Sequence, residues 1–450
     1  MPNNSKSGGT LASRLWPAGR AALFTAPELL IVLLIAAVQF VSILEFMILM
    51  PLGPDLAKAL AIDPSNLGLI GGAYTAAAAV SGLLAAMFLD RFDRRPALAT
   101  AMAGLVIATA LGACAWNLHS LLAARMLAGM FGGPATALGL AIVADYFAPH
   151  KRGRAMGAVM GGFTLASVVG VPLGLQLAQF GGWRLPLLTI AGLGAVVIGL
   201  VAWRMPPVRA HLSRPRRQAL AQLAGLLQRP VVLLSLAAVM LSVCGSFAVI
   251  PNISAYIQFN HGYPHAELGL LYLAGGLVSF LVMQFAGGLA DRYSPALVAI
   301  GGAVVLAVAL LCGFVFDHFY LPIIAVFVLF MSAQGIRNVA VNALTSRVPG
   351  PHERASYQSA QAAVQSLAMA LGGIVSAYTL RQLPSHELAG MPSVALAALA
   401  MGVLAPLLLI AVQRMVVSGE AQRGEMQDSP APDAATGLAE LEPEPAVAEV

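Results

Sequence analysis

The sequence predicts an all-α integral membrane protein whose twelve transmembrane helices form two pseudo-symmetric six-helix bundles. Three observations carry this. Hydrophobic residues make up 59% of the 450 positions and charged residues only 10%, against about 25% charged in soluble proteins. Such a chain cannot cover its own core with polar surface. Apolar runs of around 20 residues recur along its length, each long enough to cross about 30 Å of hydrocarbon as a helix. The pattern also repeats at an offset near 200 residues. Leu67-Gly68-Leu69 precedes Asp90-Arg91 by the interval at which Leu268-Gly269-Leu270 precedes Asp291-Arg292. Pro149-His150 before Arg154 returns as Pro351-His352 before Arg354.

In chain order, residues 1–28 are polar, carry Lys6, Arg14 and Arg20, and read as a cytoplasmic lead-in to an uncleaved first helix. Spans are expected at about 29–56, 66–89, 97–116, 119–147, 155–179 and 184–204 for the N-terminal bundle, residues 29–204. A cytoplasmic linker follows at 205–229, with Leu220, Leu223 and Leu227 on one helical face. It is either an interfacial helix or a plain tether. The C-terminal bundle, 230–413, holds spans at about 230–258, 266–290, 296–316, 320–347, 355–381 and 391–413. Residues 414–450 carry eight acids from Glu420 onward against one base, Arg423, without periodicity, and are expected to be a disordered acidic tail. The apolar runs are continuous rather than alternating, which argues against an outer-membrane barrel.

Orientation follows from Lys and Arg, which concentrate on the cytoplasmic side of membrane proteins. With both termini inside, 20 of the 25 bases lie in inner segments and three, Lys58, Arg184 and Arg381, in outer loops. The other two, Arg125 and Arg337, fall within spans. Because the bases sit between apolar segments, they mark topology and not a nucleic-acid surface. Cys114, Cys244 and Cys312 lie far apart in apolar runs, which supports neither a disulfide framework nor a zinc site. None of the three lysines follows a glycine, so a phosphate loop is lacking. His352-Glu353 and His386-Glu387 lack the second histidine of a metalloprotease helix. Neither an enzyme nor a bound cofactor or metal is expected.

Charges inside the apolar spans are costly and mark function. Glu45 stands 16 residues beyond Leu29, about 24 Å along a helix, in the outer third of the first span. Arg125 stands 20 residues before Asp145, about 30 Å above the inner end of the fourth. The two therefore share a depth, as a proton-coupling pair or as a static ion pair. In the tenth span, Gln334, Arg337, Asn338 and Asn342 are spaced by threes and fours and share a face. No carboxylate lies in the apolar interior of the second half to neutralise Arg337. These four are candidates for substrate contact or for bonding between helices. Gln39 and Ser42 are further candidates on the first helix, and the Gln358, Gln361, Gln365 stripe is read as packing.

The loop after the second span, Ala86-Met-Phe-Leu-Asp90-Arg91-Phe-Asp93-Arg94-Arg95, and that after the eighth, Gly287-Gly-Leu-Ala-Asp291-Arg292, resemble the motif-A signature of the major facilitator superfamily. Gly170-Val-Pro172-Leu-Gly174 in the fifth span resembles the motif-C element of its drug:proton antiporters, in the form of sugar-efflux-like members. The stretch from Leu44-Glu45 to Pro54 is similar to the antiporter first-helix motif, and Arg125-Met-Leu-Ala-Gly129 to the fourth-helix one. The resemblance covers nearly the whole chain. It implies a monomeric exporter of a small molecule in the bacterial inner membrane, driven by proton antiport, of the kind that confers multidrug resistance. Its partners would be substrate, protons and the lipid bilayer. A proton-coupled importer or uniporter of a sugar or organic anion, or a non-transporting flippase or sensor, is the alternative. It further implies a cytoplasmic gate built from Asp90, Arg91, Arg94 and Asp145, echoed by Asp291 and Arg292, with Gly170, Pro172 and Gly174 allowing close helix approach. Two motif-A glycines are replaced, by Ala86 and Asp93, and Asp93 adds a charge to the relay.

Overall fold

The computed structural model describes residues 24–88, 91–209, 224–316, 321–350, 353–385 and 387–428. Expectations for the N-terminal segment through residue 23, for Asp90, for most of the linker and for the tail beyond 428 lie outside these residues. Among the described residues, twelve helices are long and apolar enough to cross a membrane: α1 Ala26–Ile48, α2 Pro64–Ala85, α3 Arg94–Ala113, α4 Leu118–Tyr146, α5 His150–Gly181, α6 Arg184–Arg204, α7 Pro230–His261, α8 His265–Arg292, α9 Pro295–Val315, α10 Ile323–Thr345, α11 Ser356–Thr379 and α12 Met391–Ser418. Here the face on which α1 begins is the terminal face and the opposite one the distal face. A two-residue β-hairpin pairs Arg381–Gln382 with Leu388–Ala389 between α11 and α12.

Local chemistry sets the helix ends. The Asp93 carboxylate accepts the Arg95 N–H at the start of α3. Asn117 and Ser120 cap each other's backbone at the start of α4. Each cap satisfies N–H groups that have no partner within the helix. α1 stops at Ile48, short of the expected 56, and a separate short helix occupies Gly53–Ala59. Pro51 and Pro54 cause the break, since proline has no N–H for the helical ladder and its ring clashes with the preceding turn. Within α5 the residues Ala166–Gly170 form one π turn directly before Val171-Pro172, which absorbs the hydrogen bond that Pro172 cannot make. The last helix continues to Asp428 instead of ending near 413. Between Arg414 and Asp428 the chain carries two each of Glu, Gln, Arg and Met, good helix formers despite lacking an apolar period.

The repeat reappears as geometry. A 3-10 turn at Pro64–Asn66 leads into Leu67, and another at His265–Glu267 leads into Leu268, 201 positions later. α7 is broken at Ile250–Asn252 around Pro251, as the chain is interrupted after α1 around Pro51.

By their internal contacts the described residues divide into two compact units. The first takes in α1 to α6 together with Phe247–Leu277 and Met369–Val394, the distal parts of α7, α8 and α11. Small residues bring its helices close. A side chain at Gly129 of α4 would collide with the backbone carbonyl of Tyr74 in α2, and Gly68 of α2 meets Gly373 of α11 backbone to backbone. At the distal face the buried Asn252 donates to Ser376 Oγ at 3.0 Å, and Asn260 bonds both backbone groups of Leu388 at 3.0 Å.

The second unit holds residues 224–246, Val278–Ala368 and 395–428. Its core is a cluster of small and branched residues, including Val239, Ala286, Ala299, Ala340, Leu344 and Val412. Ser235 Oγ and the buried Tyr357 hydroxyl bond at 2.7 Å. Arg229 grips Glu353 through two bonds of 2.8 and 2.9 Å.

Candidate functional site

In the first unit, α1 buries Gln39, Ser42 and Glu45, spaced by threes along one face. Glu45 lies one turn before the helix ends, and Arg125 two turns after α4 begins. Their side chains form an ion pair, Arg125 Nη1 donating to Glu45 Oε1. Solvent reaches 1% of the acid and 3% of the base. The guanidinium carbon of Arg125 lies over the Tyr74 ring, 4.5 Å from its centroid, a cation–π contact whose strength grows when water is excluded. Only part of the pair's bonding capacity is used: Glu45 Oε2, Arg125 Nε and Arg125 Nη2 have no hydrogen-bond partner among the described residues. A small cavity, about the size of one water, adjoins both side chains, bounded by Thr109, Leu121 and Leu187 among others.

The motif-C residues lie against this turn of α1. A side chain at Gly170 would strike Leu44, directly before Glu45, and one at Gly174 would strike Ile48, three residues after it. The small residues of α5 thus seat the acid-bearing turn, with Pro172 buried between them.

At the terminal face, Arg94 Nε reaches Asp145 Oδ2 at 3.4 Å, joining the start of α3 to the end of α4. Arg91 is exposed. Asp93 does not enter this relay. Its carboxylate accepts from Arg209 Nε at 2.7 Å and from the Val208 N–H at 3.2 Å, fastening the chain that leaves α6. Burial pushes the Asp93 carboxyl up, and the Arg209 guanidinium with the Arg95 and Val208 N–H groups more than offsets it, holding it below the ordinary aspartate range. In the second unit, Asp291 and Arg292 are exposed. Asp291 makes no ion pair among the described residues, and Arg292 stands 5.6 Å from the Tyr293 ring.

The structure splits the stripe of α10 into two groups. Arg337 is buried, 2% exposed, its stem pressed on Gly302 of α9. Its Nη2 donates to Ser242 Oγ of α7 at 2.9 Å and its Nη1 to Gln334 Oε1 at 3.3 Å. Gln334 Oε1 also accepts from Ser246 Oγ at 2.6 Å. All these acceptors are neutral. Asn338 and Asn342 are exposed instead. They bond to each other at 2.5 Å, and Gln361 of α11 donates to Asn342 at 3.0 Å. Amide groups exposed on helices of this apolarity line water more readily than lipid. Gln39 is fully buried and donates to the Thr136 carbonyl at 3.2 Å, tying α1 to α4. Ser42 meets Met102 Sδ at 3.8 Å.

Sequence reasoning missed Tyr74, Ser242 and Ser246. The signal for Tyr74 lay in Gly129, Gly132 and Gly133 of α4: its hydroxyl end rests against Gly132 and its backbone against Gly129.

Twelve apolar helices among the described residues, a sequence pattern that repeats at about 200 residues and a charged pair sealed within the spans define a multi-pass membrane protein. Residues 35–373 match the family model described as Major Facilitator Superfamily, and the chain belongs to that superfamily. It is 30% identical over 246 residues to the "Inner membrane transport protein YdhP" of Escherichia coli (strain K12), covering 54% of this chain and 62% of that protein. To the "Probable sugar efflux transporter" of Helicobacter pylori (strain ATCC 700392 / 26695) it is 27% identical over 231 residues, 50% of this chain and 58% of the relative. The matched region thus spans less than two thirds of the length of both relatives. Among solved structures, the nucleoside transporter NupG shares the fold with a TM-score of 0.69 at 15% identity, over 86% of this chain and 99% of that one.

Proposed function

We propose that the protein exports a small polar molecule across the bacterial inner membrane by proton antiport, with both termini cytoplasmic. One observation carries the coupling: the Glu45–Arg125 pair, shut away from solvent where the first and fourth helices meet. Burying an ion pair in low dielectric is expensive, so its retention in a membrane span points to use. In the outward-open state a proton from outside bonds to the Glu45 carboxylate and cancels its charge. The pairing with Arg125 then loosens, cargo affinity falls, and cargo leaves. On the return stroke the proton departs to the cytoplasm and the pair reforms. Arg94 and Asp145, with Asp90 and Arg91, hold the cytoplasmic side closed while the outside is open, and Asp291 with Arg292 serves the second half. Gly170, Pro172 and Gly174 keep α1 seated as it moves.

Cargo is met by Asn338 and Asn342, the exposed amides of α10. Arg337 and Gln334 lie behind them and supply a positive field that favours anionic or strongly hydrogen-bonding molecules, and Gln39 holds α1 to α4. The export direction is supported by the motif-C element and by the similarity to a protein titled as a sugar efflux transporter.

The test is an efflux screen of sugars, sugar acids and amphenicol drugs in cells with and without the chain, followed by direction-resolved flux of the cargo found. In proteoliposomes carrying a pH gradient, cargo should accumulate uphill in the acidic compartment. Flux that runs only downhill at every pH gradient, or uphill into the alkaline compartment, overturns the proposal.

A further inference from the structure

We infer that Tyr74 is a positioning residue of the coupling pair: its ring is the platform on which Arg125 rests when Glu45 is protonated. This deepens the proton-antiport reading and rests on it. The argument begins with the guanidinium, which has five N–H donors. One group, Nη1, is bonded to Glu45. Nε and Nη2 meet no acceptor among the described residues. The other stabilising contact is the aromatic face 4.5 Å from the guanidinium carbon. When Glu45 takes a proton, the cation loses its counter-charge while remaining in an apolar surround. The ring quadrupole is then what keeps the charge in place and ready to pair again.

The platform is held by its neighbours on α1 and α4. Phe46 lies against the Tyr74 ring with centroids 5.1 Å apart and planes inclined by 33°. Phe247 stacks on Phe46 in turn, at 6.1 Å and 25°. Gly129 receives the Tyr74 backbone and Gly132 its hydroxyl end. A side chain on either glycine would displace the ring. Tyr74 is 7% exposed and its hydroxyl makes no hydrogen bond among the described residues, so the packing fixes the ring and its π-face is the feature used.

The charged and titratable groups facing Glu45 are Arg125 from α4 and Tyr74 from α2. α3 and α6 present Thr109 and Leu187 to the adjoining cavity, and α5 meets the same turn with Gly170 and Gly174. Removing the ring costs the protonated state of Glu45 more than the ionised one, because only the ionised carboxylate still compensates Arg125.

The test is infrared titration of the purified protein in lipid nanodiscs, following the carboxyl band that disappears in Glu45→Gln. Tyr74→Phe, which keeps the ring, should titrate as the parent does. Tyr74→Leu should move the midpoint toward acid by about one pH unit or more, the size expected when most of a desolvated cation–π contact acts on the protonated state alone. Trifluorophenylalanine at position 74 keeps the ring's shape and drains its π-face, so it should shift the midpoint the same way even if the leucine variant folds poorly. An unchanged midpoint in the fluorinated protein overturns the role of Tyr74 and leaves the antiport reading standing. Absence of any Glu45-dependent band in the parent overturns both.

Discussion

The two halves share one backbone plan and carry different chemistry at matching positions. Ser246 stands 201 residues after Glu45, and Val326 stands 201 residues after Arg125, so the charged pair of the first half has no charged echo in the second. The intramembrane cation of the second half, Arg337, corresponds in the repeat to Thr136 and is held by Ser242 and Gln334 without a carboxylate among the described residues. Duplication preserved what folding needs: the proline breaks, the 3-10 turns and the helix starts. Charge chemistry was free to diverge, because a span tolerates a charge wherever its neighbours supply partners.

That asymmetry is open to direct attack, and the largest effect is expected from breaking the pair. Arg125→Ala strands the Glu45 carboxylate and should lower stability by about 3–5 kcal/mol, read as a fall in Tm in detergent, with loss of coupled transport. The double variant Glu45→Gln with Arg125→Gln should recover most of that stability and remain uncoupled. Arg337→Met removes a cation whose partners among the described residues are neutral, and should leave Tm unchanged or raise it, since replacing a desolvated charge by an apolar side chain is often neutral or stabilising. If Arg125→Ala and Arg337→Met lower Tm equally, the contrast between the halves is void.

A smaller effect separates the exposed from the buried part of α10. Asn342→Ala loses bonds to Asn338 and Gln361 on an exposed face, so Tm should hold while KM for the cargo rises about tenfold, equivalent to about 1.4 kcal/mol. A drop in Tm with KM unchanged would make this amide cluster a fastening between α10 and α11.

The smallest effect lies outside the spans. Because the Asp93 carboxyl is held below its ordinary value, the stability it contributes is present above about pH 4 and is lost as pH falls through its lowered value. At neutral pH Asp93→Asn should cost less than about 1 kcal/mol, Arg209 being well exposed. Spin labels at the exposed position 207, beside the held Val208 and Arg209, should report a looser segment after α6, as the labelled parent should in strong acid. An equally tight segment in the variant would show that Val208 and Arg209 are held by something else.

Much of this was legible in the sequence. The twelve spans, the repeat and the shared depth of Glu45 and Arg125 follow from run length, interval and the rise of a helix, because charges in a 59% apolar chain stand out. The split of α10 was not legible. At 100° per residue Arg337 and Asn338 sit on either side of a boundary that only the positions of α7 and α9 define. Tyr74 was hidden for a different reason: an aromatic residue in an apolar helix is ordinary until the cation above it is seen. Asp93 was read as a departure from motif A that adds a charge beside the gate relay, and that charge serves the cap of α3 and the segment after α6.

The central claim is that Glu45 carries the coupled proton, and uphill flux by Glu45→Gln in proteoliposomes tests it most directly. The variant should still exchange cargo for cargo across the membrane but should accumulate none against its gradient, whatever the pH difference. Full pH-driven accumulation by Glu45→Gln would contradict the account.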